Sequence, residues 1–206
     1  MIFSYMRHEL ETALRAAGFD RSALHQFDDS LRGFFYSFLG IFLCAPLYVL
    51  VLLAERRITD NAAVEMPSLA LTPLPPANLA FAALESANYL ANWVLFPLAM
   101  IFLANIMGAG KRYVPFVVAY NWTGCIILAA TVLPYLLYLA RIVPIEGVMI
   151  LYYPVIFFAF ALRWTVARDT LKISDLNAAG IVIFDFLLSI LMAVLVGKLR
   201  EGLVVS

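Results

Sequence analysis

Long apolar runs alternate with short polar stretches along most of the chain. A transmembrane helix needs about 20 mostly apolar residues to cross roughly 30 Å of hydrocarbon. Runs that meet or approach this length recur along the sequence, and a single acidic residue, Asp185, interrupts the last of them. The pattern predicts an all-α polytopic membrane helix bundle with about five transmembrane helices, spanning residues 34–54, 86–107, 113–140, 147–164 and 176–197.

The third run, 113–140, is long enough to raise the alternative of two spans. Pro115 and Pro134 lie near its ends, and dividing the run would leave segments of about 14 residues, which are too short to cross hydrocarbon. One long, tilted or kinked helix is therefore the better interpretation. The fourth run is short, and it reaches Trp164 if the Arg163 side chain extends to the membrane interface.

Residues 1–33 mix acidic and basic side chains and carry no apolar core of a signal peptide. Apolar residues recur on one side of a predicted helix over residues 2 to 17: Ile2, Phe3, Met6, Leu10, Leu14 and Ala17. We interpret this segment as a cytoplasmic amphipathic helix. Two placements fit the pattern equally, one on the lipid surface and one on the cytoplasmic ends of the bundle itself.

The remaining polar segments complete the predicted organisation. Residues 55–77 form a loop outside the membrane between the first two spans, and residues 199–206 form a short C-terminal tail. The proline-rich stretch at 71–76 favours extended backbone within that loop.

Basic residues near the span ends predict the orientation, because cytoplasmic loops carry an excess of Lys and Arg. The side that contains the N-terminus carries nine: Arg7, Arg15, Arg21, Arg32, Lys111, Arg112, Arg163, Arg168 and Lys172. The opposite side carries five: Arg56, Arg57, Arg141, Lys198 and Arg200. We therefore expect a multi-pass protein of a bacterial inner (cytoplasmic) membrane, with a cytoplasmic N-terminus and an outside C-terminus.

Composition agrees with lipid as the main surroundings of the chain. Apolar residues make up 64% and charged residues 14%, and the mean hydropathy is +0.92. This leaves too little polar surface to cover a water-soluble globule, so the lipid bilayer is the expected partner. The 14 basic and 14 acidic side chains cancel, which argues against a nucleic-acid partner.

Asp185 is the first candidate for chemistry, because a carboxylate inside a span costs several kcal/mol unless it is protonated or paired. Two interpretations remain open, a structural clamp between helices and a proton- or ion-carrying group. Small residues follow Asp185 at four-residue steps and predict a helix-packing seam: Ser189, Ala193 and Gly197.

A polar face on the second span offers partners for Asp185. Glu85, Asn88 and Asn92 share one side of that helix, and facing lipid would leave their polar groups unsatisfied. Asn121 in the third span could join them. We expect an intramembrane polar cluster of Asp185, Glu85, Asn88, Asn92 and Asn121.

Catalytic and cofactor chemistry find little support. The only histidines, His8 and His25, lie in the N-terminal segment, and no group of histidine, cysteine and acidic residues has the spacing of a metal site. Cys44 and Cys125 lie inside spans and are typical of small apolar packing residues. We expect no enzyme activity and no cofactor.

The chain resembles bacterial five-span proteins related to the Yip1 domain. The similarity covers most of the chain and rests on the polar N-terminal segment, the run Phe34–Gly40 that leads into a first span containing Pro46, and polar positions in later spans such as 120–122. The resemblance implies a role in membrane organisation and partner binding, without catalytic residues.

Two functional hypotheses follow. The first is a non-catalytic scaffold or accessory subunit that contacts a membrane-protein partner or a second copy through its spans and N-terminal helix. The alternative is a small transporter or a proton- or ion-conducting subunit that uses Asp185 and the face formed by Glu85, Asn88 and Asn92.

Overall fold

A computed structural model of the protein describes residues 2–65 and 74–205 and contains no strand within them. The fold is an all-α bundle, as predicted. Its helices are α1 (Ile2–Ala17), α2 (Leu31–Ser37), α3 (Gly40–Glu65), α4 (Leu79–Ile106), α5 (Tyr113–Leu139), α6 (Ile145–Leu171) and α7 (Asp175–Val205). Short 3₁₀ helices at Arg21–His25 and Gly110–Arg112 complete it.

Within the described chain, five helical segments are long and apolar enough to cross a membrane, which is the pattern of a multi-pass membrane protein. The first segment combines α2 and α3, and the others are α4 to α7. Residues 113–139 form one helix with Pro134 inside it, so the run is not divided. Several helices extend past the predicted span ends, since a helix does not have to stop where the hydrocarbon stops.

Helices continue past three of the predicted boundaries. The predicted loop 55–77 is helical up to Glu65, its residues 66–73 lie outside the described part, and the Arg56 side chain donates a hydrogen bond to the Pro75 carbonyl oxygen at 2.7 Å. The predicted tail 199–206 belongs to α7 as far as Val205. The fourth span continues from residue 164 to Leu171.

Helix α5 is the centre of the bundle. Of its most apolar stretch, 56% of residues are buried, against 11% for α7. It contacts α1, α2, α3, α4 and α6. Gly40 allows a close approach on one side, because a Cβ there would lie 2.7 Å from the Trp93 ring and 2.9 Å from Cys125 Sγ. Cys44 and Cys125 are buried free thiols, in agreement with a packing role.

Helix α1 packs against α5 through one face, as in the predicted placement on the bundle, and leaves another face exposed. Its buried face carries small and polar side chains: Glu9, Thr12, Ala13 and Ala16. The predicted apolar stripe lies beside that face, and its members Phe3 and Leu14 stay exposed. Met6, Leu10 and Ala17 of the stripe pack against the core, so the helix docks on the bundle while the other half of its apolar stripe remains available to a lipid surface.

Glu9 gives this docking a pH dependence. Its carboxylate is buried, and Oε1 accepts a hydrogen bond from the Asp28 backbone N–H at 3.3 Å. Oε2 has no hydrogen-bond partner among the described residues. Burial raises the pKa of Glu9 from 4.5 to about 7, opposed by the Asp28 hydrogen bond and the charge of His8 and assisted by the charge of Asp28.

The docking of α1 should weaken as pH rises. The protonated form is favoured in the docked state, so stability is greatest below pH 4.5 and is lost as pH rises through about 7. A shift of this size corresponds to about 3 kcal/mol. Hydrogen-exchange protection of α1 amides should therefore be lower at pH 8 than at pH 5.

Glu9→Gln should remove this pH dependence, because a neutral amide keeps the shape of the side chain without its charge. Glu11→Gln is the matched control, since Glu11 is exposed and pairs with Arg7. An equal pH dependence in wild type and Glu9→Gln would contradict the assignment.

Candidate functional site

Asp185 lies inside the bundle and contacts two other helices. The Tyr120 hydroxyl of α5 donates a hydrogen bond to Asp185 Oδ1 at 2.9 Å. Arg163 Nε of α6 lies 3.9 Å from Asp185 Oδ2, within ion-pair range but beyond a hydrogen bond. The carboxylate therefore faces a guanidinium cation and a phenol hydroxyl inside the bundle.

Arg163 turns inward, which corrects the expectation that it extends to the membrane interface. Its Nη1 donates a hydrogen bond to the Tyr120 carbonyl oxygen at 2.7 Å, and its guanidinium carbon lies 3.4 Å from the centre of the Tyr120 ring. A Cβ built on Gly124 would lie 3.2 Å from Arg163 Nη2. The glycine therefore leaves the space that the guanidinium occupies.

A cavity of about 440 Å³ adjoins this ion pair and is lined by residues from all five spans. Its walls are largely aromatic: Tyr48, Tyr89, Trp93, Phe96, Tyr120, Phe160 and Phe186. Its polar lining is sparse: Asn92, Asn121, Arg163, Asp185 and Ser189. The cavity is partly open, because Asn92, Phe186 and Ser189 in its lining are exposed. A largely apolar cavity with a few convergent polar groups is the usual form of a small-molecule site.

A second ion pair lies near the other end of α7. Arg200 Nε donates a hydrogen bond to Glu85 Oε1 at 2.7 Å, and Arg200 Nη1 lies 3.6 Å from Glu55 Oε2. The Tyr48 hydroxyl donates to Glu85 Oε2 at 2.8 Å. Glu85 is 3% exposed, so its carboxylate is buried inside the bundle together with these partners.

Asn88 and Asn92 connect the second ion pair to the cavity. Asn88 Nδ2 donates to the Tyr48 hydroxyl at 3.0 Å, and Asn92 Nδ2 donates to Asn88 Oδ1 at 2.9 Å. Tyr48 and Asn92 both line the cavity. A chain of polar contacts therefore runs from the buried Glu85 to the cavity wall.

The two ion pairs lie on opposite sides of the cavity along α7. Asp185 and Arg200 are separated by about 22 Å of helix at 1.5 Å per residue. Asp185 pairs with α6, and Arg200 pairs with α4 and α3. Helix α7 is thus fixed to the bundle at these two positions and, at its first turn, by the Asp175–Arg168 ion pair.

The predicted cluster of five polar residues does not form one group of direct contacts. Glu85, Asn88 and Asn92 form one hydrogen-bonded group, whereas Asp185 contacts Tyr120 and Arg163. Asn121 instead donates to Ser37 Oγ at 2.9 Å. The cavity brings Asn92, Asn121 and Asp185 to a common wall.

The sequence interpretation missed four participants: Tyr48, Tyr120, Arg163 and Arg200. Charge balance was the sequence signal that could have identified the two arginines, because each intramembrane acid needs a basic partner at a similar depth. Arg163 and Arg200 lie near the ends of apolar runs and were therefore assigned to the membrane surfaces.

The predicted seam does not pack against another described helix. Ser189 and Ala193 are exposed, and no heavy atom lies within 4 Å of a Cβ built on Gly197. The Ser189 hydroxyl instead donates to the Asp185 carbonyl oxygen at 2.9 Å. Packing of this seam against a partner stays a prediction.

The site is suited to binding by charge and aromatic contact. Over the described residues, no three histidine, cysteine or acidic side chains are grouped closely enough to hold a metal ion. The polar groups at the cavity are an acid, a base, amides and hydroxyls that can recognise a polar group on a largely apolar molecule.

No protein-family model matches the chain, and no curated protein or solved structure matches it significantly.

Removing Arg200 should destabilise the bundle, because Glu85 would remain buried without its cation. We expect Arg200→Leu to cost about 3 kcal/mol and to lower the melting temperature of the detergent-solubilised protein. Adding Glu85→Leu should recover much of the loss, since the double variant buries no unpaired charge.

Lys198→Leu is the matched control, because Lys198 is exposed on the same part of α7. Arg200→Leu and Lys198→Leu with equal melting temperatures would show that the Glu85 contact contributes nothing.

Proposed function

We propose that the protein is a non-enzymatic membrane carrier that binds a small, largely apolar molecule in the central cavity and moves it across the bilayer. The observation that supports this most is the cavity of about 440 Å³, lined by all five spans and adjoining an arginine–aspartate pair. Its volume falls within the usual range for small-molecule sites.

The packing of α7 supports movement as well as binding. Only 11% of its apolar stretch is buried, the lowest fraction among the five candidate spans of the described chain. Its ion pairs to other helices are made by Asp175 with Arg168, by Asp185 with Arg163 and by Arg200 with Glu85 and Glu55. A helix held at a few polar points can shift when one ion pair opens, and that shift would expose the cavity to one side.

The proposal includes the orientation and the membrane. Nine basic residues on the N-terminal side against five on the other favour a cytoplasmic N-terminus, and we propose a bacterial inner membrane. A carrier in this orientation would bring its ligand past Arg163 and Asp185 on the cytoplasmic side and past Glu85 and Arg200 on the outer side.

A scaffold or accessory subunit is the second candidate. It is favoured by the small-residue seam of Ser189, Ala193 and Gly197, where Ser189 and Ala193 are exposed and Gly197 has open space around it. The resemblance to Yip1-related proteins would agree with such partner binding. This role and the carrier role differ in whether water and solute reach the cavity.

Cysteine labelling tests that difference. Met192 lines the cavity, whereas its neighbour Leu191 is 63% exposed on the outer surface of the bundle. In membrane vesicles, Met192→Cys should react with a membrane-impermeant maleimide from at least one side. Leu191→Cys should not, because a thiol in hydrocarbon does not form the reactive thiolate.

The wild-type protein is the blank, since Cys44 and Cys125 are buried. If Met192→Cys were as unreactive as Leu191→Cys from both sides, the cavity would be closed to water. That result would contradict the carrier and favour the scaffold.

A further inference from the structure

We propose that the ligand of the central cavity is a zwitterion, a molecule such as an α-amino acid that carries one ammonium and one carboxylate on an apolar body. This inference rests on the proposed function and names its substrate class. It is carried by the facing charges of Arg163 and Asp185 in an aromatic cavity.

Charge balance favours a ligand with no net charge. Arg163 and Asp185 are the only charged side chains in the described lining, and together they are neutral. An added net charge would be expensive in a low-dielectric cavity. A zwitterion can pair its carboxylate with Arg163 and its ammonium with Asp185, so that the cavity stays neutral.

The geometry leaves both charges able to accept such a partner. The 3.9 Å separation of Arg163 Nε and Asp185 Oδ2 is too long for a hydrogen bond, so the pair is not closed. Among the described residues, Arg163 makes one hydrogen bond, from Nη1 to the Tyr120 carbonyl oxygen. Its other N–H groups are free for the two-pronged contact that guanidinium makes with a carboxylate.

The acid of the pair also has an oxygen available. The Asp185 carboxylate keeps one oxygen for a ligand, because Oδ1 accepts the Tyr120 hydroxyl whereas Oδ2 accepts no hydrogen bond among the described residues. A ligand ammonium can donate to Asp185 Oδ2.

The remaining walls of the cavity determine which apolar body the ligand can have. Aromatic rings such as Trp93, Phe96 and Phe160 suit an aromatic or branched aliphatic side chain. The volume of about 440 Å³ falls within the range of sites for drug-sized molecules. A free cation would meet Arg163 and a free anion would meet Asp185, so each is disfavoured by one of the two charges.

Four probes that share one phenyl body separate the possibilities: phenylalanine, phenethylamine, 3-phenylpropionic acid and propylbenzene. Each is titrated into the protein in nanodiscs, and the change in tryptophan fluorescence is followed. The Trp93→Phe variant identifies the part of the signal that comes from the cavity, because Trp93 is in its wall. Phenylalanine should bind at least tenfold more tightly than the amine and the acid.

Charge variants should change the preference in opposite directions. Asp185→Asn leaves a net positive cavity and should favour 3-phenylpropionic acid over phenylalanine. Arg163→Gln leaves a net negative cavity and should favour phenethylamine. Arg163→Lys keeps the charge balance and should keep the preference for phenylalanine with weaker affinity, which provides a further test if a neutralised variant does not fold.

Tighter binding of the acid or of the amine to the wild-type protein would overturn the zwitterion. If propylbenzene bound in the cavity and phenylalanine bound no better than the singly charged probes, the zwitterion would fail while the proposed carrier would stand. If none of the four changed the Trp93 signal, and Met192→Cys also failed to label, both proposals would fail.

Discussion

A charged side chain within a mostly apolar helix needs a partner on another helix, and this requirement organises the bundle. Helix α7 carries one buried acid and one largely buried base, Asp185 and Arg200, and each meets an opposite charge. Because the pairs lie on different helices and about 22 Å apart along α7, they set both its rotation and its depth. A rotation of α7 about its own axis would expose both charges to lipid.

This arrangement also explains how a cavity persists at the centre. The core of the bundle is the packing around α5, where side chains such as Phe116, Val117 and Trp122 are almost completely buried. Helix α7 contributes few buried side chains and makes ion pairs to α6, α4 and α3. These polar attachments help to keep the helix in place without requiring the space between them to be filled.

The spans were predictable from the sequence because the bilayer thickness sets a minimum length for an apolar run that crosses it. The ends of the helices were not, since polar residues beyond the hydrocarbon find partners within the protein. Arg56 contacts the Pro75 carbonyl and Arg200 contacts Glu85, so α3 and α7 continue past the points where apolar character ends. The N-terminal helix was predictable in extent, whereas its docking face was not, because that face is small and polar.

Of the polar residues in the cavity lining, the sequence predicted Asp185, Asn92 and Asn121 but not Arg163. An aspartate within an apolar run is rare enough to identify from sequence, but its partner depends on the rotation of each helix about its axis. Arg163 was assigned to the interface because it lies near the end of its run, and only the packing of α6 on α5 turns it over the Tyr120 ring. The direct partners of Asp185 therefore differ from the asparagines that shared its approximate depth.

The pairing of Arg163 with Asp185 is the interaction on which this account of the cavity depends, and a double-mutant cycle measures it most directly. The free energy of unfolding would be compared for wild type, Arg163→Met, Asp185→Leu and the double variant. We expect a coupling energy of about 1–3 kcal/mol, with the double variant less destabilised than the sum of the single variants. Single losses that add to within about 0.5 kcal/mol would contradict it, because the two charges would then not interact.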